Sequence, residues 1–288
     1  MLGASGFLGR AFVARLERAG TAVAPLATRD LDLTADSATE GLRAVVSAGD
    51  VLVFLSAITR DKGRDARTYL QNVRMGVHVA ASIDDRISHV IYVSSDAVYG
   101  DAPPLPITER APLDPSCLYG AAHLGRELML REACAAAGVA YTIVRPTILY
   151  GPGDTHGNYG PNRFFRTAPH GTITLFGAGE ERRDLLFVDD AAALLERVVA
   201  TRTTGVFNAA TGTAHSFGEM AQMVAAASPL PVAITSQPRV GAAHLHRHFD
   251  VSALSRAFPD VRYTSLPEGI RQTAAAVFGH AVPSRAQH

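Results

Sequence analysis

Three short stretches of this chain carry side chains whose types and spacing could do chemistry. At the start, MLGASGFLGR sets Gly3, Gly6 and Gly9 three apart, directly ahead of a run with helical periodicity. Glycines at such a turn let the backbone approach a pyrophosphate, and the helix N-terminal amides of Phe7, Leu8 and Gly9 would hold its charge. In LYGAAHLGRE (118–127), Tyr119 and His123 stand one helical turn apart, a phenol beside an imidazole. HLHRH (244–248) would put His244, His246 and His248 on one face of a strand. No cysteine or carboxylate cluster accompanies them, so no metal is expected. Cys117 and Cys134 make neither a metal spacing nor a disulfide framework and read as core thiols. The pairs Asp84-Asp85, Glu180-Glu181 and Asp189-Asp190 read as solvated turns or helix starts.

The elements that must position these groups alternate. Phe7, Leu8, Ala11, Phe12 and Leu16 form an apolar stripe that predicts a helix over 7–19. TAVAPLAT (21–28) reads as a short strand. DVLVFLSA (50–57), HVIYVSS (89–95) and AYTIVRP (140–146) are uninterrupted apolar runs, as strands buried on both faces require. Helical segments lie between them, around 66–83 and 117–137. This alternation predicts an α/β fold, a doubly wound, Rossmann-like parallel sheet with right-handed crossovers. Beyond residue 150 the pattern changes. YGPGDTHGNYGPNRFF reads as a loop leaving the sheet, while a helix over 189–202 and a strand over 205–210 return to it. A helix near 216–227, two short β-type runs and a helix from about 266 follow, and the tail 279–288 is expected to fray. The domains are therefore residues 1–150, with 185–212 returning, for a dinucleotide, and a smaller α/β unit mainly within 151–288 for a substrate.

The glycine turn should follow a strand of about five residues, yet only Met1 and Leu2 precede Gly3. That strand belongs at the centre of the sheet. Its shortness is accounted for if the natural chain starts upstream of Met1.

With these pieces in order, the chain resembles the extended short-chain dehydrogenase/reductases, the NAD-dependent epimerase/dehydratase family that modifies nucleotide-sugars. GASGFLG is similar to the family's glycine turn. LDLT is similar to its adenine contact, which implies Asp32 and Leu33 at the adenine. FLSA stands where a strand end lines the cofactor, implying Ser56 and Ala57, and Asn72 in YLQNV matches a recurrent helix asparagine. VSSDAVYGD resembles the segment with the active-site hydroxyl, here Ser95. YGAAH matches the tyrosine–lysine motif, VRPTILYGPGD the strand and loop beside the nicotinamide, including Pro146. GAGEERRDLLFVDDAA matches the segment whose arginine, here Arg183, grips a substrate diphosphate.

The resemblance implies a hydride carried by the cofactor and a proton moved by Tyr119, with Ser95 bonded to the same oxygen. Asp96 follows Ser95, as in some dehydratases and reductases, but Ala97 stands where dehydratases carry a glutamate. The family's lysine lowers the tyrosine's pKa and holds the nicotinamide ribose; His123 replaces it. A histidine of ordinary pKa is cationic in about a quarter of molecules at neutral pH. Oxidising an alcohol needs tyrosinate and suffers most from this replacement, whereas reducing a ketone needs the protonated phenol. The expectation is therefore a 4-keto-sugar reductase. The alternatives are a 4-epimerase or dehydratase that retains NAD, and a catalytically silent dinucleotide-binding protein.

Ala27-Thr28-Arg29 stands where an NAD-specific member has an acid, so Arg29 favours NADP over NAD. Arg183 and Arg239 are the candidate diphosphate grips, and Asn162 a further substrate contact. Ile148 occupies a place where the family often has an asparagine. Lysine plus arginine and aspartate plus glutamate both total 27, which removes the electrostatic case for nucleic acid or an anionic membrane. No apolar run is long enough to span a bilayer. A cytoplasmic protein is expected, and the family implies a homodimer through helices 66–83 and 117–137.

Overall fold

The computed structural model describes residues 1–157, 159–239 and 246–279. Strands β1 (Asp50–Phe54), β2 (Ile87–Val93), β3 (Ala140–Pro146) and β7 (Gly205–Ala209) form a parallel sheet in the order β1-β2-β3-β7. Successive residues of a strand point to opposite faces, so the apolar runs divide between two cores. Ile91 and Val93 of β2 pack with α1 (Phe7–Arg18) and α6 (Val188–Thr201) through Phe12, Leu16, Leu194 and Val198. Val90 and Tyr92 turn the other way, onto α2 (Ala38–Val45), α3 (Ala66–Ala81) and α4 (Leu118–Ala137), meeting Leu42, Val79 and Leu130. The expected helices and buried strands thus form, within a few residues of their predicted ends.

Two residues stand in for the first strand. Leu2 bridges Phe54 on one side and Leu26 on the other, both parallel. Its amide donates to Val53 O at 2.8 Å and its carbonyl accepts from Leu55 at 3.0 Å. The glycine turn therefore leaves the sheet between β1 and Leu26. The strand expected over 21–28 is corrected to a single bridge at Leu26, because pairing extends only as far as the partner alongside, here Met1 and Leu2.

The second unit has its own core. β4 (Ile148–Tyr150) pairs parallel with β6 (Arg182–Phe187), which pairs antiparallel with β8 (Ala214–Ser216). β5 (Thr172–Phe176) pairs with β9 (Ala233–Gln237). The stretch read as loop over 150–165 ends instead in a helix, α5 (Asn162–Thr167), because Phe164 and Phe165 bury against Ile173, Leu185 and Phe278. Helices α7 (Phe217–Ala227), whose Ser216 and Glu219 form a capping box, and α9 (Leu266–Phe278) complete that core, with α8 (Ser252–Ala257) packed beside β7. Beyond Gly279 the tail expected to fray lies outside the described residues, as do His244 and Leu245 of HLHRH.

Candidate active site

Tyr119 lies in the first turn of α4, behind the extended N-cap Cys117. Gly120 lets this turn close on the carbonyl of Ala97, where any side chain would collide. That contact brings the helix to the short 3-10 turn Asp96–Tyr99 after β2, whose N-cap is Ser95. The Ser95 Oγ accepts from Ala97 N at 3.2 Å and also faces the Tyr119 phenol. The tyrosine is partly exposed as a residue, but its hydroxyl end is enclosed. Burial pushes the phenol up to about 12, aided by the Asp96 carboxylate, while Arg126 and Ser95 pull it back. Tyr119 is protonated at neutral pH.

His123 lies one turn on, 3% exposed, its ring edge against Tyr119 with centroids 4.5 Å apart. Its Nδ1 is 2.7 Å from the hydroxyl of Tyr92 on β2, and its Nε2 is enclosed without a partner. Desolvation, and then the charge of Arg126, hold its pKa well below the usual histidine value. The expectation of a fractionally cationic imidazole is therefore corrected. The ring is neutral, because burial strips an imidazolium of its hydration and ionising it would also place a second charge beside a buried guanidinium.

That guanidinium, and the Glu127–Arg145 pair beside it, escaped the sequence reading, whereas its partners Asn72 and Ser56 did not. Arg126 donates from Nε to Asn72 O (2.6 Å), from Nη1 to Ser56 O (2.9 Å) and from Nη2 to Asn72 Oδ1 (3.0 Å). Asn72 also exchanges both amide bonds with the backbone of Ile58. Its side chain thus clamps the segment after β1 that holds Ser56 and Ala57. The next residue of α4, Glu127, accepts from Arg145 at 2.9 and 2.6 Å and from Ser94 Oγ at 2.6 Å. Arg145 reaches on to the Tyr99 hydroxyl at 2.9 Å, which donates to Asn208 Oδ1 at 2.6 Å. This buried network pins the turn that carries Ser95. Helical spacing alone cannot distinguish Arg126 and Glu127 from solvated charges, although Arg126 does share a helix face with Tyr119.

The glycine turn fits a dinucleotide. Gly3 adopts φ +92°, and a Cβ there would stand 2.8 Å from Ser56 N, so backbone meets backbone. No side chain caps α1 at Gly6, which leaves the first-turn amides of Phe7, Leu8 and Gly9 available for phosphate oxygens. A groove of about 470 Å³ runs beside the turn, lined by Ala4, Arg10, Ala27, Thr28 and Arg29. Arg29 is solvent-exposed and only loosely paired with Asp30 at 3.6 Å. Asp32 turns its carboxylate to Thr34, 2.8 Å to both N and Oγ1, while Leu33 is buried in the core beneath. Pro146 ends β3 opposite Ala209.

On the substrate side, Arg183 and Arg239 converge on one carboxylate, Glu181, which Arg239 reaches at 2.9 Å. The Nε of each arginine is buried and unpartnered. The pair Glu180-Glu181, expected as a solvated turn, is corrected at Glu181, which is 7% exposed because these two cations enclose it. Glu181 and Arg239 line a cavity of about 320 Å³ with Phe176, Phe217 and Arg163, whose guanidinium lies 5.3 Å from the Phe176 ring. Asn162 sits at the start of α5, its amide 3.5 Å from Leu149 O and not in this cluster. Arg247, inside the histidine-rich stretch, ties the two units together. It bridges to Arg183, donates to the Gly100 carbonyl and to Asp96 O at 3.0 Å, and lies 3.6 Å from the Asp96 carboxylate. His246 accepts from Arg182 N, and His248 meets Gly212 O. Among the described residues no cluster of histidine, cysteine or carboxylate could hold a metal ion, and no helix is long and apolar enough to cross a membrane.

A parallel sheet wound on both faces, with a glycine turn beside β1 and a tyrosine–serine pair at the strand ends, is the doubly wound architecture, which takes ligands at the carboxyl ends of its strands. Comparison with known proteins narrows this. Residues 1–210 match the NAD dependent epimerase/dehydratase family, and the chain belongs to it. A UDP-glucose 4-epimerase of Mycolicibacterium smegmatis is 31% identical over 150 residues, covering 50% of this chain and 48% of that protein. One from Lactobacillus helveticus is 25% identical over 285 residues, covering 84% of each. The alignment to the first of these, like that to a putative UDP-glucose 4-epimerase of Methanocaldococcus jannaschii at 56%, spans about half the relative's length. The structure of UDP-glucose 4-epimerase from Thermotoga maritima with UDP-glucose superposes with a TM-score of 0.84 at 20% identity, covering 98% of both chains, and shares the fold.

Proposed function

We propose that this chain is an NAD(P)-dependent enzyme that transfers hydride at a sugar carbon of a nucleotide-linked sugar, acting in the direction that reduces a 4-keto group. One observation carries the direction: the Tyr119 phenol, held at about 12, is a proton donor at neutral pH, and its helical neighbour His123 is neutral. The cofactor, when bound, would supply the hydride to the carbonyl carbon. Tyr119 gives its proton to the carbonyl oxygen, and Ser95 donates a hydrogen bond to that oxygen as charge builds on it. The glycine turn would hold the pyrophosphate, with Ser56, Ala57 and Pro146 along the path to the nicotinamide. The unpartnered Nε2 of His123 is the ring atom left to serve the ribose. Arg183 and Arg239 would take the substrate's diphosphate, with its base against Phe176 and Phe217.

NADP is the favoured cofactor, supported by Arg29 in the groove beside the turn and by the missing acid at 27–29. Titration with both reduced nicotinamides checks this; tighter binding of NADH would reverse the preference. A homodimer is supported by Leu70, Val77 and Leu128, exposed on α3 and α4. Light scattering showing a single-chain mass in dilute buffer would remove that reading.

The second reading, a 4-epimerase with NAD held through the cycle, is favoured by the UDP-glucose 4-epimerases among the relatives. Reduced-nicotinamide consumption with UDP- and dTDP-4-keto-hexoses, run beside UDP-glucose to UDP-galactose conversion, separates the two. Tyr119→Phe is expected to lower kcat by about 10²- to 10⁴-fold in either case. Cofactor binding without turnover on any of these substrates would leave a silent binding protein.

A further inference from the structure

Helix α4 carries Tyr119 in its first turn and Arg126 two turns later. Seven residues at about 100° each bring Arg126 back to within about 20° of Tyr119 around the axis. Helical side chains lean toward the N-terminus, so the guanidinium leans toward the phenol's end of the helix. Arg126 is 1% exposed and has the greatest volume among the fully buried side chains. Its partners, Asn72 O, Asn72 Oδ1, Ser56 O and the phenol of Tyr92, are neutral, and its carbon lies 5.0 Å from the centre of the Phe54 ring. Among the described residues no carboxylate forms an ion pair with it. Helix α3 is shaped to admit it, since a Cβ on Gly76 would stand 2.7 Å from Arg126 Cγ.

A buried cation without a counter-ion is costly to keep. The neutral acceptors fix where it sits but give no reason for its charge. The groups it acts on are the phenols of Tyr119 and Tyr92 and the ring of His123. Around Tyr119 the other polar and titratable groups are Ser95 and Asp96 from the turn after β2, the Tyr92 phenol of β2, Cys117 at the helix start, and neutral His123. Asp96 works against the phenolate, leaving Arg126 as the cation that favours it.

We propose that Arg126 is the positioning residue that supplies, from two turns along α4, the positive charge that the family's lysine supplies from one turn, stabilising the phenolate left when Tyr119 gives up its proton. The assignment rests on the function proposed above for its catalytic consequence, but its electrostatic part can be read without substrate. In cofactor-free protein labelled with ¹³C at tyrosine Cζ, the Tyr119 resonance, assigned by its loss in Tyr119→Phe, reports the onset of ionisation as pH rises. Arg126→Met is expected to move that onset up by about one pH unit or more, as removal of a nearby unit charge should. Arg126→Gln removes the charge while keeping a donor for Asn72 O, and should do the same. Arg126→Lys should leave the onset near its original place. His123→Lys in the Arg126→Gln background, which returns a cation to the family's position, should bring it back down. In turnover, the two neutral variants should lose about tenfold or more in kcat with KM little changed, and the double variant should recover part of it. An unmoved onset in a folded neutral variant would overturn the assignment, as would an equal shift in Arg126→Lys. Failure of the chain to turn over any nucleotide-sugar, with the onset shifting as expected, would sink the proposed function and leave the Arg126 assignment standing.

Discussion

Glu127→Gln changes one atom's chemistry at the most enclosed ion pair among the described residues. Glu127 and Arg145 have side chains 1% and 4% exposed, and the carboxylate takes two hydrogen bonds from the guanidinium and one from Ser94. The glutamine keeps the shape but removes the charge and one of the acceptor oxygens. Two unit charges at about 4 Å attract by about 4 kcal/mol at an effective dielectric of about 20. Stranding one member of a buried pair costs about 3–5 kcal/mol, so the two estimates agree. In a chain of this size each kcal/mol lowers Tm by roughly 2–4 °C, which makes the expected fall about 6–20 °C. Arg145→Met should cost as much, because it strands the carboxylate and removes the donor to Tyr99. The double variant should cost far less than the sum, with a coupling of about 2–3 kcal/mol. Urea unfolding of the four proteins supplies these free energies. Since the pair is shielded from solvent, 1 M salt (Debye length about 3 Å) should leave the coupling nearly unchanged. A cost below about 1 kcal/mol for Glu127→Gln, or strict additivity in the double variant, would refute the view that this pair anchors the turn bearing Ser95.

Two further predictions come from other buried titratable groups. Glu181 neutralises part of the cluster formed by Arg183 and Arg239, so an incoming diphosphate meets less net positive charge than two arginines would present. Glu181→Gln should tighten UDP binding about tenfold in calorimetry, with a steeper dependence on salt; unchanged or weaker binding would mean that the carboxylate serves only to orient the arginines. His89 is enclosed beside Thr142 at 2.8 Å, and desolvation, with the charge of Arg202, lowers its pKa from 6.5 to about 4. A depressed folded value makes its contribution full above pH 6.5 and lost as pH falls toward 4. The stability advantage of wild type over His89→Gln should therefore shrink by up to about 3 kcal/mol across that window, and an advantage that stays constant with pH would contradict the buried neutral ring.

What could be read from the chain depended on how local each cause was. The stripe through Phe12 and Leu16 and the apolar runs ending in Phe54 and Val93 carry their structural reason within themselves, and those elements form as expected. TAVAPLAT has the composition of a strand, but pairing needs a neighbour, and only Met1 and Leu2 stand beside it. The run ending in NRFF was read as a loop because its glycines and prolines outweigh one helical turn; Phe164 and Phe165 find their reason for helix only in the second core. At the site, the nearness of Tyr119 to Ser95 was legible because a motif fixes their surroundings. The state of His123 was not, since it depends on Tyr92 from another strand and on Arg126 from the next turn. Glu181 looked solvated because Arg239, its cation across the cavity, is remote in sequence.

The misses at the site, His123 and Glu181, share a physical origin. Apolar burial follows a period that a single segment displays, whereas the burial of a charge is decided by partners brought from elsewhere in the fold. The histidine in YGAAH looks like a loss of function so long as the motif is judged at the i+4 position alone. On the folded helix the i+7 position faces nearly the same way, and Gly76 on the neighbouring helix clears the space for a long cationic side chain there. A reaction that needs a positive charge near a phenol constrains the distance and burial of that charge, not the residue number that delivers it. An arginine on the tyrosine's own helix face, opposite a glycine of the packed partner helix, is therefore the pattern to seek wherever the lysine is missing.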